Sequence, residues 1–223
     1  MLWHKVQGAG GTVGGGGGGS NSVVNTDFAL TTSGQTYTIT NANLGTPSAN
    51  RYIAVVAQNY NTANVEIASI TVGGSQTQLQ STGRFSIGGI PGAIGLISYP
   101  SGTNADVFVN FGTTSLVRGI IGVYAVYGVT SLFDFDTGGG NSSTGSGIRS
   151  YTLNENDIVL SSIYVTNGSG LTLSGLSQDD IAIVSGRYLT INSYGPEPSG
   201  GTLNYSWSWT NPSSFRWNSY HLR

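Results

Sequence analysis

Apolar residues recur along this chain in short, often alternating runs, and no window keeps helical spacing for three turns. Gln35 to Thr40 (QTYTIT) alternates among β-formers and predicts a short strand. Arg51 to Gln58 (RYIAVVAQ) is apolar nearly throughout, the pattern of a strand buried on both faces. Val65 to Val72 (VEIASITV) alternates again, and Gly73-Gly74 marks a hairpin returning through Gln76 to Leu79. Ala93 to Tyr99 and Ala105 to Phe111 form the next predicted pair, followed by Ile120 to Val126 (IIGVYAV) and Leu132 to Asp136 (LFDFD). Further strands are predicted over Asp157 to Val165, Leu171 to Leu173, Ile181 to Val184, Tyr188 to Ile191, Leu203 to Trp209 and Ser214 to Leu222. Ser20 to Leu30 reads as a polar connector that turns apolar, and Asn41 to Asn50 as a loop. Short strands with turn signals between them indicate an all-β fold, an antiparallel β-sandwich of jelly-roll type.

Two stretches lie outside this alternation. Thr137 to Gly147 (TGGGNSSTGSG) has no apolar residue and reads as a long surface loop, within one sandwich body or dividing it. Met1 to Ser20 opens on Leu2, Trp3, His4, Lys5 and Val6, and nine of the twelve positions from Gly8 to Gly19 are glycine. Such a run has no side chains to bury and loses the most entropy on ordering, so it is expected as an extended arm. It has no continuous apolar core of the kind a secretory signal needs. Two readings of its first residues stay open: an anchoring peptide on a glycine tether, or a disordered tail. The expected layout is therefore an arm over residues 1–20 and a β body over residues 21–223.

Composition narrows the function classes. Only 8% of the 223 residues are charged, net charge is −2, and no basic cluster stands in the sequence, so a phosphate-neutralising surface for nucleic acid is not expected. No apolar run reaches eighteen residues, so no membrane-spanning helix is expected. With no cysteine there is neither a disulfide nor a thiolate metal site. A surface built from Ser, Thr, Asn, Gln and Gly suits contact with glycans or neighbouring subunits.

The material for catalysis is thin. His4 and His221 are the only imidazoles, and a Ser–His–Asp arrangement would have to recruit His221. Asp134 with Asp136, or Asp179 with Asp180, are the paired carboxylates a glycosidase would need. Asp134 and Asp136 share a strand face opposite Phe133 and Phe135, which is the ordinary pattern of a half-buried strand. Gln178-Asp179-Asp180 reads as a loop with two carboxylates for calcium but none of the spaced motif that binds it. No enzyme activity and no cofactor are expected. The aromatic stripe Tyr205, Trp207 and Trp209 reads as a core face rather than a sugar platform. Trp217, Tyr220 and especially Tyr194, in the loop NSYGPEPSGG, are the expected carbohydrate contacts.

WHKVQGAGG at the start, then RYIAVVAQ, ASITVGG, AIGLISYPSGTNADVFVNF, GVYAVYG and ENDIVLSS in order, resemble a loose group of small virion proteins from bacteriophages and gene transfer agents. The resemblance implies a surface component of a particle assembled in the bacterial cytoplasm: a tail or head fibre, a spike or a decoration protein. It also implies an N-terminal peptide seated in other virion proteins, a homo-oligomer with a trimer favoured, and a β body facing host polysaccharide. A cement or connector without ligand is the alternative, and a polysaccharide-degrading enzyme a further one. On this layout, deleting residues 1–20 leaves a folded β body that no longer joins the particle. Assembly of the truncated chain at normal copy number, measured by quantitative gel analysis of purified particles, would show that the arm is not the anchor.

Overall fold

The computed structural model describes residues 21–31, 34–61, 65–81, 90–113, 116–129, 132–140, 145–166, 169–184, 187–210 and 214–223. The arm, with Leu2, Trp3, His4, Lys5 and Val6, lies outside them. The described chain is all β and its strand pairs are antiparallel. Its first strands are β1 (Ser22–Thr31), β2 (Thr36–Asn43), β3 (Arg51–Asn61), β4 (Ser69–Val72), β5 (Ser75–Gln76), β6 (Gln78–Ser81), β7 (Gly92–Ser98), β8 (Asn104–Asn110) and β9 (Leu116–Tyr127). These make an inner sheet in the order β1-β9-β3-β7-β6 and an outer sheet in the order β2-β8-β4-β5.

The remaining strands are β10 (Leu132–Gly140), β11 (Ser146–Leu153), β12 (Ile158–Thr166), β13 (Ser169–Ser174), β14 (Ser177–Val184), β15 (Arg187–Tyr194), β16 (Gly201–Thr210) and β17 (Ser214–Leu222). They form a second inner sheet, β10-β17-β12-β15-β14, and a second outer sheet, β11-β16-β13. Substituting β10 to β17 for β1, β2, β3, β4, β6, β7, β8 and β9 converts the first pair of sheets into the second. One architecture is thus used twice, and only β5 has no counterpart.

Three apolar layers hold the four sheets. Ile53, Val55 and Ala57 of β3 face the first outer sheet with Ile70, Val107 and Phe111. Val159, Ile163 and Val165 of β12 face the second outer sheet with Leu203, Tyr205 and Trp207. The alternate residues of the same strands, Ala54 and Val56, Ile158, Leu160 and Tyr164, meet in a central seam between the two inner sheets. This is why RYIAVVAQ and DIVLSSIYV lack polar alternation: each strand has a core on both sides. A fully buried Leu, Ile or Val contributes roughly 1.5–3 kcal/mol over an exposed one, so the seam ranks with the two sandwich cores.

The inner sheets meet in reversed strand order, with β3 against β12, β9 against β15 and β1 against β14. β7 lies against β17, since a β-carbon at Gly92 would run into Asn218 and Tyr220. A β-carbon at Gly122 of β9 would meet Ile191 Cγ2 of β15 at 2.7 Å, so glycine permits the same close approach on the other side. Reversed order of matching strands is what a local two-fold axis produces, here within one chain.

One buried charge locks the rim of the first pair of sheets. Arg51 is wholly buried, and its guanidinium donates from Nε to Tyr99 O at 2.8 Å, from Nη1 to Leu44 O and Gly45 O, and from Nη2 to Ser101 O and Gly102 O. Backbone carbonyls thus take the place of water on all five of its N–H groups.

Several elements differ from expectation. β1 is a strand rather than a connector; a register shift between Asn25 and Asp27 hides its alternation. Residues 65–68 precede β4 and are not in a strand. The change from one pair of sheets to the other falls between β9 and β10, ahead of the stretch expected as a loop. Thr137–Gly140 continues β10, and Ser146–Leu153 is a strand whose polar residues face solvent. Phe135, expected to point inward, is 37% exposed because β10 is the edge of its sheet, and the side chain of Phe133 lies outside the described residues.

Arg51→Ala is expected to lower the unfolding free energy by roughly 3 kcal/mol or more, because buried carbonyls lose a charged donor. Arg51→Lys should restore only part of this, since an ammonium cannot reproduce the planar fork. Urea unfolding of both variants measures it, and a midpoint for Arg51→Ala near that of the parent would show that the carbonyls are satisfied without the guanidinium.

Candidate functional site

The second outer sheet has two unlike faces. On β16, Leu203, Tyr205, Trp207 and Trp209 are buried, while Thr202, Asn204, Ser208 and Thr210 are exposed and Ser206 is half-buried. Strict alternation along TLNYSWSWT puts every aromatic inward and every small polar residue outward. The aromatics interlock with the inner sheet: Trp207 lies 6.0 Å from Trp217 and 5.5 Å from Tyr205, centroid to centroid. That packing confirms the core reading of the stripe.

Register aligns the outward residues in rows. Ser146 of β11 stands opposite Ser208, and Ser208 opposite Thr172 of β13; Ile148 stands opposite Ser206, and Ser206 opposite Ser174. Neighbouring strands lie about 4.8 Å apart, so the hydroxyls form a two-dimensional lattice. Thr172 Oγ1 and Ser208 Oγ are 2.6 Å apart, and Ser150 Oγ donates to Asn204 Oδ1. Ile148, 61% exposed, is the apolar member of this face. A shallow groove of about 540 Å³ runs over Ser146, Ile148, Thr172, Ser174, Ser206 and Ser208. No formal charge stands among these outward residues. Each hydroxyl both donates and accepts, so the face matches neutral polyhydroxyl surfaces and supplies no acid or base.

The expected contact residues lie elsewhere. Trp217 is 1% exposed, sealed between the second inner and outer sheets with the Arg149 guanidinium 4.5 Å over its ring. Tyr220 is wholly buried in the central seam. Neither offers a face to a ligand, which corrects the expectation that they bind sugar: a terminal strand with a core on each side buries both of its faces. Tyr194 ends β15 and is half-buried, and its Oη donates to Glu197 Oε2 at 2.7 Å.

The candidate catalytic groups are packed into other roles. Asp134 pairs in register with His221. His221 is 6% exposed, and burial holds its imidazole below the ordinary histidine range against the opposing pull of Asp134, Asp157 and Asp136. Tyr151 meets the imidazole edge-on at 4.4 Å and donates its hydroxyl to Asp136 Oδ2 at 3.2 Å. Ser219 is wholly buried, with its Oγ 2.8 Å from Tyr205 Oη. Asp136, Tyr151, Tyr205 and Ser219 thus form a polar thread inside the second pair of sheets. Asp179, expected in a loop, lies on β14 and accepts from Tyr124 Oη at 2.8 Å, tying the second inner sheet to the first. The side chain of Asp180 lies outside the described residues. Among the described residues no three His, Asp or Glu side chains gather to hold a metal ion.

The hydroxyl face was only half visible in the sequence. Alternation places Asn204, Ser206 and Ser208 together, and Leu171 to Leu173 announces β13, but β11, which widens the rows on the other side, gives no strong strand signal.

No protein-family model matches the chain, and no curated protein sequence matches it. Among solved structures, a turret protein in Sulfolobus turreted icosahedral virus aligns with 89% of this chain and 98% of its own, at 10% identity and a TM-score of 0.17. A likeness that low carries no argument about function.

Burial raises the Asp179 carboxyl to about 6, against the favourable hydrogen bonds from Ser193 and Tyr124. The fold therefore favours its protonated form. That contribution is complete below the unfolded carboxyl range, about 3.9, and is lost as pH rises through about 6. Asp179→Asn should accordingly gain about 2–3 kcal/mol over the parent at pH 7, with the difference vanishing near pH 4. Denaturant unfolding at the two pH values measures this; equal stabilities at pH 7 would refute it.

Proposed function

We propose that this chain is a non-enzymatic, bacteriophage-like virion surface protein whose β body contacts host polysaccharide through the hydroxyl face of its second outer sheet. The observation that carries this reading is the uncharged, in-register lattice of Ser146, Thr172, Ser174, Ser206 and Ser208 around the exposed Ile148. A neutral sugar surface presents hydroxyls and C–H patches, and this face offers partners for both. Strand order supports a jelly roll for each pair of sheets, the first with β1-β9-β3-β7 facing β2-β8-β4-β5. A rigid, duplicated body of this kind suits a fibre, spike or decoration component. In this reading Leu2, Trp3, His4, Lys5 and Val6 seat in other virion proteins, and copies associate as a homo-oligomer, a trimer being favoured. The particle assembles in the bacterial cytoplasm and presents the body at its surface.

The test is glycan-array and calorimetric binding to capsular and cell-wall polysaccharide of candidate hosts. Ile148→Asp and Ser206→Lys place charges on exposed or half-exposed positions and should leave folding intact. Both are expected to weaken glycan binding at least tenfold. Equal binding by parent and variants would move the contact off this face, and no binding by the parent would favour a cement or connector. Release of reducing ends from the polysaccharide would establish an enzyme instead.

A further inference from the structure

The edge strand of the second outer sheet is fastened through a contact that can titrate. Within its sheet β11 is hydrogen-bonded to β16 on one side only, so the side chains beneath it must help to hold it down. Along its inward row Gly147 has no side chain, Arg149 is exposed, and Tyr151 and Leu153 are buried. Tyr151 is the larger of these two anchors, and its ring meets His221 of β17 edge-on at 4.4 Å. The phenol hydroxyl donates to Asp136 Oδ2 on β10 and lies 3.4 Å from Tyr205 Oη on β16. One side chain of β11 thus reaches three other strands, and an imidazole lies under its ring.

His221 is placed where a proton is unwelcome. It is 6% exposed and stands in register with Asp134 of β10 on one side and Val159 of β12 on the other. Its Nε2 is buried and has no hydrogen-bond partner among the described residues. A neutral imidazole carries one N–H, whereas imidazolium carries an N–H on both nitrogens. Protonation therefore leaves a charged donor at Nε2 without an acceptor, which disfavours the buried position. Asp134, Asp157 and Asp136 favour the proton, and Arg223 opposes it. Each of those carboxylates already accepts elsewhere: Asp134 from Phe135 N, Asp136 from Tyr151, and Asp157 from Arg223 and Asn154 N. Burial outweighs their pull and holds the ring below the ordinary histidine range.

We propose that His221 is an acid-sensitive latch: its neutral ring holds Tyr151, and with it the edge strand β11, and a proton on the ring releases both. The strand so released carries Ser146, Ile148 and Ser150, one side of the hydroxyl face. The consequence for glycan contact rests on the reading proposed above, whereas the latch stands on the packing. Because the fold favours the neutral ring, the latch contributes fully above the ordinary value of 6.5 and is lost as pH falls through and below it. Asp179 acts in the opposite direction, and it cancels between variants that share it.

The experiment is an NMR titration of the full-length protein from about pH 8 to about pH 5. It uses the His4→Gln variant, in which His221 is the one remaining imidazole. The imidazole signals should titrate below the ordinary histidine value, and the Tyr151 ring and Ile148 methyl signals should move with the same midpoint. His221→Phe keeps a flat ring under Tyr151 and takes no proton. It should abolish those movements and lose less melting temperature than the parent over the same range. Titration at or above the ordinary value would overturn the proposal. So would Tyr151 and Ile148 signals indifferent to the titration, or equal melting losses in parent and His221→Phe. The titration leaves His221 itself unchanged, so it decides the matter whether or not His221→Phe folds. No glycan enters it, which keeps its failure separate from failure of the hydroxyl-face reading.

Discussion

Everything in this molecule depends on two β-sheets that are dry on both faces. A sheet in an ordinary sandwich buries one face and wets the other, so polar residues can occupy every second position. Here the inner sheets pack on their own outer sheets and on each other, and β3 and β12 must satisfy two cores at once. That requirement explains the nearly unbroken apolar runs at Arg51–Asn61 and Ile158–Thr166. It also explains Gly122 and Gly92, which let facing strands approach where a side chain would collide.

Dry sheets are costly for any polar group they contain, and three sets of such groups are paired locally. Arg51 gives its N–H groups to carbonyls of two loops, so a cation becomes a clamp on the rim. Asp179 and Tyr124 join the inner sheets through one hydrogen bond in a buried setting that favours the protonated carboxyl. The thread from Asp136 through Tyr151 and Tyr205 to Ser219 does the same between inner and outer sheets. Asp136, Asp179 and Ser219 thus serve as internal fasteners.

The outer sheets, by contrast, bury one face and present the other. The second one shows the division most clearly, with indoles and phenols inside and hydroxyls outside on the same strand. Rigid backing by Trp207, Trp209 and Trp217 keeps the outward rows in register, so the face behaves as a fixed pattern of donors and acceptors. Such pre-organisation reduces the ordering cost of binding a repetitive ligand. The duplication adds mass and stiffness behind that face.

The all-β class was legible because strand periodicity is local: side chains alternate every two residues whatever the rest of the chain does. The same rule made the inward stripe of Tyr205, Trp207 and Trp209 readable, and the apolar run of RYIAVVAQ announced a strand with two cores. It hid β1 behind a bulge and β11 behind a polar outer face, since pairing, rather than composition, makes those segments strands. Trp217 and Tyr220 show the limit most plainly. Their positions alternate on β17 as they would on any half-exposed strand, and no local signal states that a second sheet covers the far side. Composition and periodicity by themselves determined strands, uncharged surfaces and an aromatic core. The tertiary structure alone decided which faces stay wet and which rings stack, because sheet stacking brings together residues that are about a hundred positions apart, such as Tyr60 and Tyr164.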